Sequence, residues 1–191
     1  MTDAGLISGT DLGAVRGERV LFRGVSIAAQ PGDLVLLRGA NGSGKTTLLR
    51  QLAGLSDPQS GTVERTGLHH WIGHTNGLKA HETPRSHLRH WASVWGSAAD
   101  VESVLNEMSM TRPANVPSRM LSAGQKRRTA LARLKLESRP LWLLDEPFNA
   151  LDSDGQALLA DMIETHRGAG GAVIAALHGQ APLKASAEVT L

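Results

Sequence analysis

The chain contains no cysteine and no tyrosine, and aromatic residues make up only 3% of its 191 positions. Without cysteine, disulfides and thiolate metal sites are excluded, which fits a cytosolic protein. No apolar run approaches the roughly 20 residues that a membrane-spanning helix needs. The first ten residues, MTDAGLISGT, lack a basic stretch followed by an apolar one, so we expect no signal peptide. The formal net charge of +2 gives little reason to expect nucleic acid as a partner.

The order of apolar segments predicts a core of alternating strands and helices. The run Gly32–Gly39 (GDLVLLRG) is apolar and bounded by glycines, as expected of a short buried strand, and a helical pattern follows from Lys45 to Gly54. Further on, Leu141–Leu144 (LWLL) and Gly171–Leu177 (GAVIAAL) are apolar on both faces, which is typical of central parallel strands covered by helices. We therefore expect an α/β fold with a parallel sheet.

Strands are also predicted on either side of the first buried strand. The segment ERVLFRGVSIAAQPGD, which begins at Glu18, predicts two short strands joined at Gly24. The segment DPQSGTVERTG, which begins at Asp57, predicts a turn followed by a strand. We expect these segments to form antiparallel strands near the amino terminus, beside the α/β core.

The middle of the chain, residues 74–121, has no strong strand signal and predicts a small helical insert. Thr83 and Pro84 have the residue types of an N-cap and a first helical position, and DVESVLNEM predicts a second amphipathic helix. The predicted organisation is a single domain of residues 1–191. Its α/β core comprises residues 1–73 and 122–191.

The segment RGANGSGKTT predicts a site for a nucleoside triphosphate. Its residues fit the P-loop pattern G-x-x-x-x-G-K-[ST], and the pattern lies between a predicted strand and a predicted helix. Glycines allow the backbone N–H groups to surround phosphate oxygens at a helix N-terminus, where the helix dipole favours negative charge. The lysine side chain would reach the β- and γ-phosphates, and the first threonine would ligate Mg²⁺. The predicted ATP-binding residues are Gly39, Ala40, Asn41, Gly42, Ser43, Gly44, Lys45, Thr46 and Thr47.

The segment LWLLDEP predicts the catalytic half of the same site. Asp145 ends an all-apolar strand, where a carboxylate has no packing role, and from there it can reach the Mg²⁺ through water. Glu146 follows and is placed to polarise the attacking water as a general base. His178 lies just after the second apolar strand, where ligands bind in such sheets, and is a candidate for contact with the γ-phosphate. The predicted catalytic residues are therefore Lys45, Glu146 and His178.

The segment LSAGQKRRTALARL, from Leu121 to Leu134, narrows the class of P-loop protein. It resembles the LSGGQ signature motif of the ABC transporter ATPase family, with Ala123 in place of the first glycine. The P-loop, LWLLDEP, this signature, the D-loop ALD ending at Asp152, and His178 follow one another in the order typical of that family. The resemblance covers nearly the whole chain.

The resemblance implies a head-to-tail dimer of two copies with two ATP molecules sandwiched between them. In such a dimer the signature residues Ser122, Ala123, Gly124 and Gln125 act on the ATP bound to the other copy. Their place at a predicted helix N-terminus would offer donors to a γ-phosphate. ATP would stabilise the closed dimer, and hydrolysis would release it. Arg127 and Arg128 are expected on a solvated face of the same helix.

Several strings resemble one branch of the family, the ATP-binding subunits of the bacterial haem exporters that serve cytochrome c biogenesis. They are GANGSGKTTLLRQLAGL, WIGHTNGLK, LSAGQKRR and LWLLDEPFNALD. This resemblance implies ATP and Mg²⁺ as cofactors and the membrane permease subunits of a haem export complex as partners. It also implies a peripheral position on the cytoplasmic face of the inner membrane, with no membrane span and no nucleic acid partner.

Two other functions keep the ATPase chemistry. The chain could serve an ABC transporter with another cargo, or it could be a soluble ABC ATPase that acts on nucleic acid or ribosomes. Proteins of the second kind usually carry long coiled-coil inserts or two ATPase cassettes in one chain. This sequence has neither feature.

Two residues, at the Q-loop and near the adenine position, depart from the family pattern. His74 stands where the family usually has the glutamine of the Q-loop, and Arg16 stands near the place of the aromatic residue that stacks on adenine. Six of the eight histidines fall between His69 and His90. Their spacing builds no defined metal site, and we expect them to be polar residues at a strand end and on an exposed helix.

Overall fold

A computed structural model describes residues 5–179 and 183–191. The predicted buried strands, and the helix predicted after the first of them, are all present. The elements are β1 (Ile7–Arg16), β2 (Arg19–Ala29), β3 (Leu34–Arg38), α1 (Lys45–Leu52), β4 (Ser60–Arg65), β5 (His69–Ile72), α2 (Pro84–Trp95), α3 (Val101–Glu107), α4 (Ala123–Ala132), β6 (Leu141–Asp145), α5 (Ser153–Gly168), β7 (Ala172–Ala176) and β8 (Ala187–Thr190).

The chain divides into two compact units. The first comprises Met1–Gly73, Arg139–Glu146 and Ala160–Leu191, and the second comprises His74–Ser138 and Pro147–Leu159. The first unit holds both sheets, and the second holds α2, α3 and α4.

A five-stranded parallel sheet forms the centre of the first unit. Its strand order is β5-β6-β7-β3-β8, and β6 and β7 are buried along their whole length. Helix α1 covers this sheet with Leu48, Leu49 and Leu52, each of which is 0% exposed. Because β6, β7 and β3 are neighbours in a parallel sheet, the loops after these three strands emerge at one edge of the sheet.

A three-stranded antiparallel sheet, in the order β2-β1-β4, completes the first unit. The prediction of two strands joined at Gly24 is wrong, because β2 runs unbroken from Arg19 to Ala29. Gly24 has φ +67° and lies where the register against β1 shifts between Leu12 and Ala14. A β-bulge explains this shift, since it inserts one extra residue without ending the strand.

The second unit is a small helical cluster, and the two helices predicted within residues 74–121 are confirmed as α2 and α3. Thr83 caps α2 by accepting a hydrogen bond from the Ser86 N–H, and Pro84 occupies the first turn, as the sequence predicts. Asp100 caps α3 through the Glu102 N–H. Within the described part of the chain, no helix has the length and apolarity needed to cross a membrane.

Candidate nucleotide site

Three sequence-predicted site segments meet at one edge of the parallel sheet. The P-loop follows β3, Glu146 follows β6, and His178 follows β7. The P-loop begins at Gly39 and leads into helix α1, whose first residue is Lys45. The predicted phosphate loop, general base and histidine are therefore carried by three adjacent strands of the first unit.

Two glycines of the P-loop are required by its backbone geometry. Gly39 has φ +137°, and a Cβ there would lie 2.6 Å from the Leu191 carbonyl oxygen. Gly44 has φ +110°, and a Cβ there would lie 2.8 Å from the Phe22 ring. Any larger residue at either position would strain the backbone and displace its neighbours, so the loop shape depends on these two glycines.

Lys45 is held in place by the loop that precedes it. Its Nζ donates to the Gly39 carbonyl oxygen at 2.7 Å and to the Ala40 carbonyl oxygen at 3.0 Å, and the residue is only 6% exposed. An ammonium group fixed in this way at a helix N-terminus is suited to bind the phosphates of a nucleotide.

Oxygen atoms suited to bind Mg²⁺ come together from the start of α1 and the end of β6. The Thr46 hydroxyl donates to Asp145 Oδ2 at 2.9 Å, and Asp145 is 1% exposed at the end of β6. Hydroxyl and carboxylate oxygens are hard ligands of the kind Mg²⁺ prefers. The Ser43 hydroxyl nearby is buried and has no hydrogen-bond partner. A buried polar atom left unsatisfied in this loop fits a site that is completed by a ligand.

Glu146 and His178 contact each other at the same edge. His178 Nε2 lies 3.0 Å from Glu146 Oε1, and the side chains are 37% and 18% exposed respectively. Glu146 adopts φ +49°, in the left-handed region that residues other than glycine rarely occupy, while its N–H donates to the Ala176 carbonyl oxygen at 2.9 Å. Strained backbone of this kind is concentrated at functional sites. The sequence placed both residues at the sheet edge, but it did not predict that they contact each other.

The signature segment begins a helix in the second unit. Ser122 is the N-cap of α4: its hydroxyl accepts from the Gln125 N–H at 3.1 Å, and Gln125 Oε1 accepts from the Ser122 N–H at 3.0 Å. Ser122 and Ala123 are exposed. A Cβ on Gly124 would lie 2.8 Å from the Ala150 carbonyl oxygen of the D-loop, so glycine allows the helix to approach that loop closely.

The expectation that Arg127 and Arg128 lie on a solvated face is wrong. Arg127 is 3% exposed, and it donates to the Pro147 carbonyl oxygen and to Asn76 Oδ1, each at 3.2 Å. Arg128 forms an ion pair with Asp152 of the D-loop, and its side chain is 12% exposed. Both arginines therefore bind the signature helix to other segments of the second unit.

The expectation that the clustered histidines are surface residues is wrong for two of them. His70 and His87 are each 2% exposed, whereas His74, His81 and His90 are exposed. Within residues 5–179 and 183–191, no group of three or more histidines and acidic residues is arranged to hold a metal ion.

His87 belongs to a buried polar cluster in the helical unit. Its Nδ1 lies 2.9 Å from Glu82 Oε2, and its ring packs edge-on against Trp91. Burial lowers the pKa of His87, and the charge of Arg133 adds to this effect, although Glu82 opposes it. Arg133 stacks 5.2 Å over the Trp91 ring, and burial lowers its pKa to about 10. Burial alone would raise the pKa of Glu82, but the hydrogen bond from His87 and one from the Lys79 N–H lower it.

We expect the protein to lose stability when the pH falls from 7.5 to 5.5. The pKa of His87 is lowered in the folded chain, so below pH 6.5 the unfolded chain binds more protons and unfolding becomes easier. Burial also lowers the pKa of His69 and of His166, which acts in the same direction. His87→Asn should make the fall in Tm smaller, as measured by thermal denaturation at several pH values.

The control for this experiment is His81→Asn, which changes an exposed histidine of the same unit. It should leave the pH dependence of Tm unchanged. A fall in Tm that is as steep in His87→Asn as in the unmodified protein would show that His87 does not contribute.

The fold and the site define a P-loop ATPase, and comparison with known proteins places it in a family. Residues 22–149 match the family model described as ABC transporter. The chain belongs to this family, and it is an ATP-binding subunit that hydrolyses ATP in a transporter complex.

Two relatives resemble the chain over most of its length. A protein of Hyphomonas neptunium named cytochrome c biogenesis ATP-binding export protein CcmA is 55% identical, over 100% of this chain and 99% of its own. The protein of the same name from Methylococcus capsulatus is 44% identical over 93% of each chain.

Solved structures support the fold. An ATP-binding subunit of an ABC transporter matches with a TM-score of 0.79 and 24% identity, covering 91% of this chain and 79% of its own. A putative ABC transporter ATP-binding protein from Pyrococcus furiosus matches with a TM-score of 0.80 and 20% identity, over 97% and 96% of the two chains. At these identities the likeness concerns the fold alone.

Proposed function

We propose that this chain powers the export or delivery of haem during the biogenesis of c-type cytochromes. The observation that carries the proposal is the 55% identity to a cytochrome c biogenesis ATP-binding export protein over the whole chain. The strings WIGHTNGLK and LSAGQKRR, which resemble haem exporter subunits, support the same branch. The proposed partners are the membrane permease subunits of a haem export complex, and the proposed place is the cytoplasmic face of the inner membrane.

The proposed nucleotide site is the P-loop of the first unit. Backbone N–H groups of Gly39–Gly44, with Lys45, Thr46 and Thr47, bind the phosphates of ATP. Thr46 and Asp145 hold Mg²⁺, with Asp145 acting through water; the 2.9 Å contact between their oxygens brings the two side chains together. When bound, Mg²⁺ neutralises charge on the β- and γ-phosphates.

Glu146 acts as the general base in the proposed reaction. Its carboxylate accepts a proton from a water molecule as the water oxygen bonds to the γ-phosphorus. The bond from the γ-phosphorus to the bridging oxygen breaks, and ADP takes the electron pair. His178, 3.0 Å from Glu146 Oε1, orients the carboxylate and contacts the γ-phosphate. Lys45 stabilises the charge that develops on the phosphate oxygens.

In the proposed cycle, ATP binding closes a dimer of two copies of the chain, and hydrolysis allows the dimer to open. Ser122, Ala123, Gly124 and Gln125 contact the γ-phosphate of ATP bound to the other copy. The exposed position of Ser122 and Ala123 at the N-terminus of α4 supports this role. ATP stabilises the closed dimer, and hydrolysis removes that preference.

Three further roles belong to the same proposal. Asp152 of the D-loop lies at the dimer interface, where its ion pair with Arg128 fixes its position. His74 takes the part of the Q-loop glutamine and couples the site to the permease. Residues 74–121, the predicted helical insert, form the surface that meets the membrane subunits.

Co-purification with membrane proteins tests the proposed cargo. The tagged chain is purified from detergent-solubilised membranes, the associated proteins are identified, and bound haem is measured by its pyridine haemochrome spectrum. We expect permease subunits and haem in the complex, at a higher haem content for Glu146→Gln than for Lys45→Ala. A complex with permease subunits but without haem in either variant would indicate another cargo. Recovery with ribosomes or nucleic acid would contradict the transport function altogether.

A further inference from the structure

Arg38 is the last residue of β3 and directly precedes the first P-loop glycine. Its guanidinium group makes contacts in two directions. Nε and Nη2 donate to Glu188 Oε1 of β8 at 3.3 Å and 3.0 Å, and Nη1 donates to the Gly179 carbonyl oxygen. The Arg38 side chain is 22% exposed, so most of it is packed against the sheet edge.

These contacts join the carboxyl end of β3 to strand β8 and to the turn after β7. Strand β3 lies between β7 and β8 in the sheet, so Arg38 reaches from the middle strand to both neighbours. Gly179 directly follows His178, and its carbonyl oxygen belongs to the turn that carries the histidine away from β7. The phosphate loop and the histidine turn are thereby connected through one side chain.

Gly179 lies in an open part of the described structure. Within residues 5–179 and 183–191, a Cβ built at Gly179 would meet no atom within 4 Å, and its φ of +71° lies in the left-handed region. The His178 side chain is itself 37% exposed. The hydrogen bond that Arg38 donates to the Gly179 carbonyl oxygen is therefore a direct restraint on this turn.

We propose that Arg38 is a positioning residue, which fixes the Gly179 carbonyl so that His178 stays within reach of Glu146 and of the γ-phosphate. Glu188 orients the guanidinium by engaging Nε and Nη2, which leaves Nη1 directed at Gly179. The inference rests on the catalytic roles proposed above for Glu146 and His178. Arg38 belongs to none of the motifs identified in the sequence. Its position as a charged residue at the end of an apolar strand can nevertheless be recognised in the sequence.

If Arg38 only stabilised the fold, its loss would lower Tm rather than kcat. An ion pair with a partner as exposed as Glu188, whose side chain is 50% exposed, contributes little to folding stability. Loss of Arg38 should therefore leave Tm almost unchanged. A small displacement of a catalytic group, in contrast, reduces the turnover rate strongly.

The test measures the steady-state ATPase activity of the full chain with Arg38→Met. We expect kcat to fall about tenfold, while KM for MgATP changes less than about twofold. Arg38→Lys keeps the charge but lacks the planar guanidinium that bonds Glu188 through Nε and Nη2 and Gly179 through Nη1, so it should restore little of the rate. The control is Arg167→Met. Arg167 bonds the backbone oxygens of Gly32 and Lys184 and one glutamate, Glu164, but at the amino end of β3. Arg167→Met should keep the wild-type kcat.

Combination with His178→Ala separates this inference from the roles on which it rests. If Arg38 acts through His178, Arg38→Met should lower kcat in the unmodified chain and have no further effect when His178 is alanine. An unchanged kcat in His178→Ala alone would remove the proposed role of His178, and the inference with it. A reduced kcat in His178→Ala together with an unchanged kcat in Arg38→Met would overturn the inference alone, as would fully additive losses in the double variant.

Discussion

Replacing Glu146 with glutamine should reduce kcat for ATP hydrolysis by about 10³-fold, because removal of a positioned general base costs two to four orders of magnitude. ATP binding should persist, since the phosphate loop is untouched and glutamine has nearly the same shape as glutamate. The left-handed backbone at this position, with φ +49°, is equally available to both residues. The measurements are steady-state phosphate release for kcat and equilibrium binding of a fluorescent ATP analogue for affinity.

Glu64→Gln is the matched control, since Glu64 is an exposed glutamate on β4 of the same unit. It should hydrolyse ATP at the unmodified rate. Retention of more than about a tenth of the activity by Glu146→Gln would be incompatible with a general base at this position. In that case the catalytic base would have to be another group at the same edge of the sheet.

Replacing Lys45 with alanine should lower kcat/KM for MgATP by at least about 10²-fold, because this cation interacts with the phosphates in both the bound and the transition state. The loop itself should also loosen. Lys45 is 6% exposed, and it donates to the carbonyl oxygens of Gly39 and Ala40, so its loss leaves both without this donor. ATP should therefore no longer raise Tm of the variant, although it should raise Tm of the unmodified chain.

Arg50→Ala provides the control for Lys45→Ala, because it removes an exposed cation from the last turn of the same helix. Its kcat/KM and its Tm increase with MgATP should match those of the unmodified chain. If ATP raised Tm of Lys45→Ala as much as that of the unmodified chain, the phosphates would have to bind elsewhere.

The sequence predicted where the phosphate loop and the residues around it lie, because these signals are local. Each P-loop residue type is dictated by the phosphates, and the spacing from Gly39 to Thr46 lies within ten consecutive positions. The places of Asp145 and His178 followed from the apolar strands that precede them. These strands are buried on both faces, so their pattern in the sequence is strong.

The parts that the sequence did not predict depend on the partners that individual polar side chains meet in the folded chain. Arg127 is buried because it meets Pro147 and Asn76, which lie 20 and 51 positions away. His87 is buried because Glu82 satisfies one of its ring nitrogens. Nothing in the local pattern of either residue reports such a partner, and a charged or polar residue without one would be expected at the surface.

The backbone conformation of certain residues could not be predicted from the sequence either. The bulge at Gly24 leaves β2 intact, although glycine followed by a second apolar run also fits a turn between two strands. The positive φ of Glu146 and of Ala150 has no signal in the residue types, because neither is glycine. Both residues lie in segments to which we assign function, where strain is more common than elsewhere.

Cross-linking between two copies of the chain tests the composite ATP site most directly. The protein has no cysteine, so Asn41→Cys in the P-loop and Ala123→Cys in the signature, both at exposed positions, would be the only thiols. They are introduced together into Glu146→Gln and treated with a short bismaleimide in MgATP or MgADP. The account predicts a covalent species of twice the 20.2 kDa chain mass in MgATP, and little of it in MgADP. If only the 20.2 kDa band appeared, in MgATP as well as in MgADP, the result would contradict a site shared between two copies.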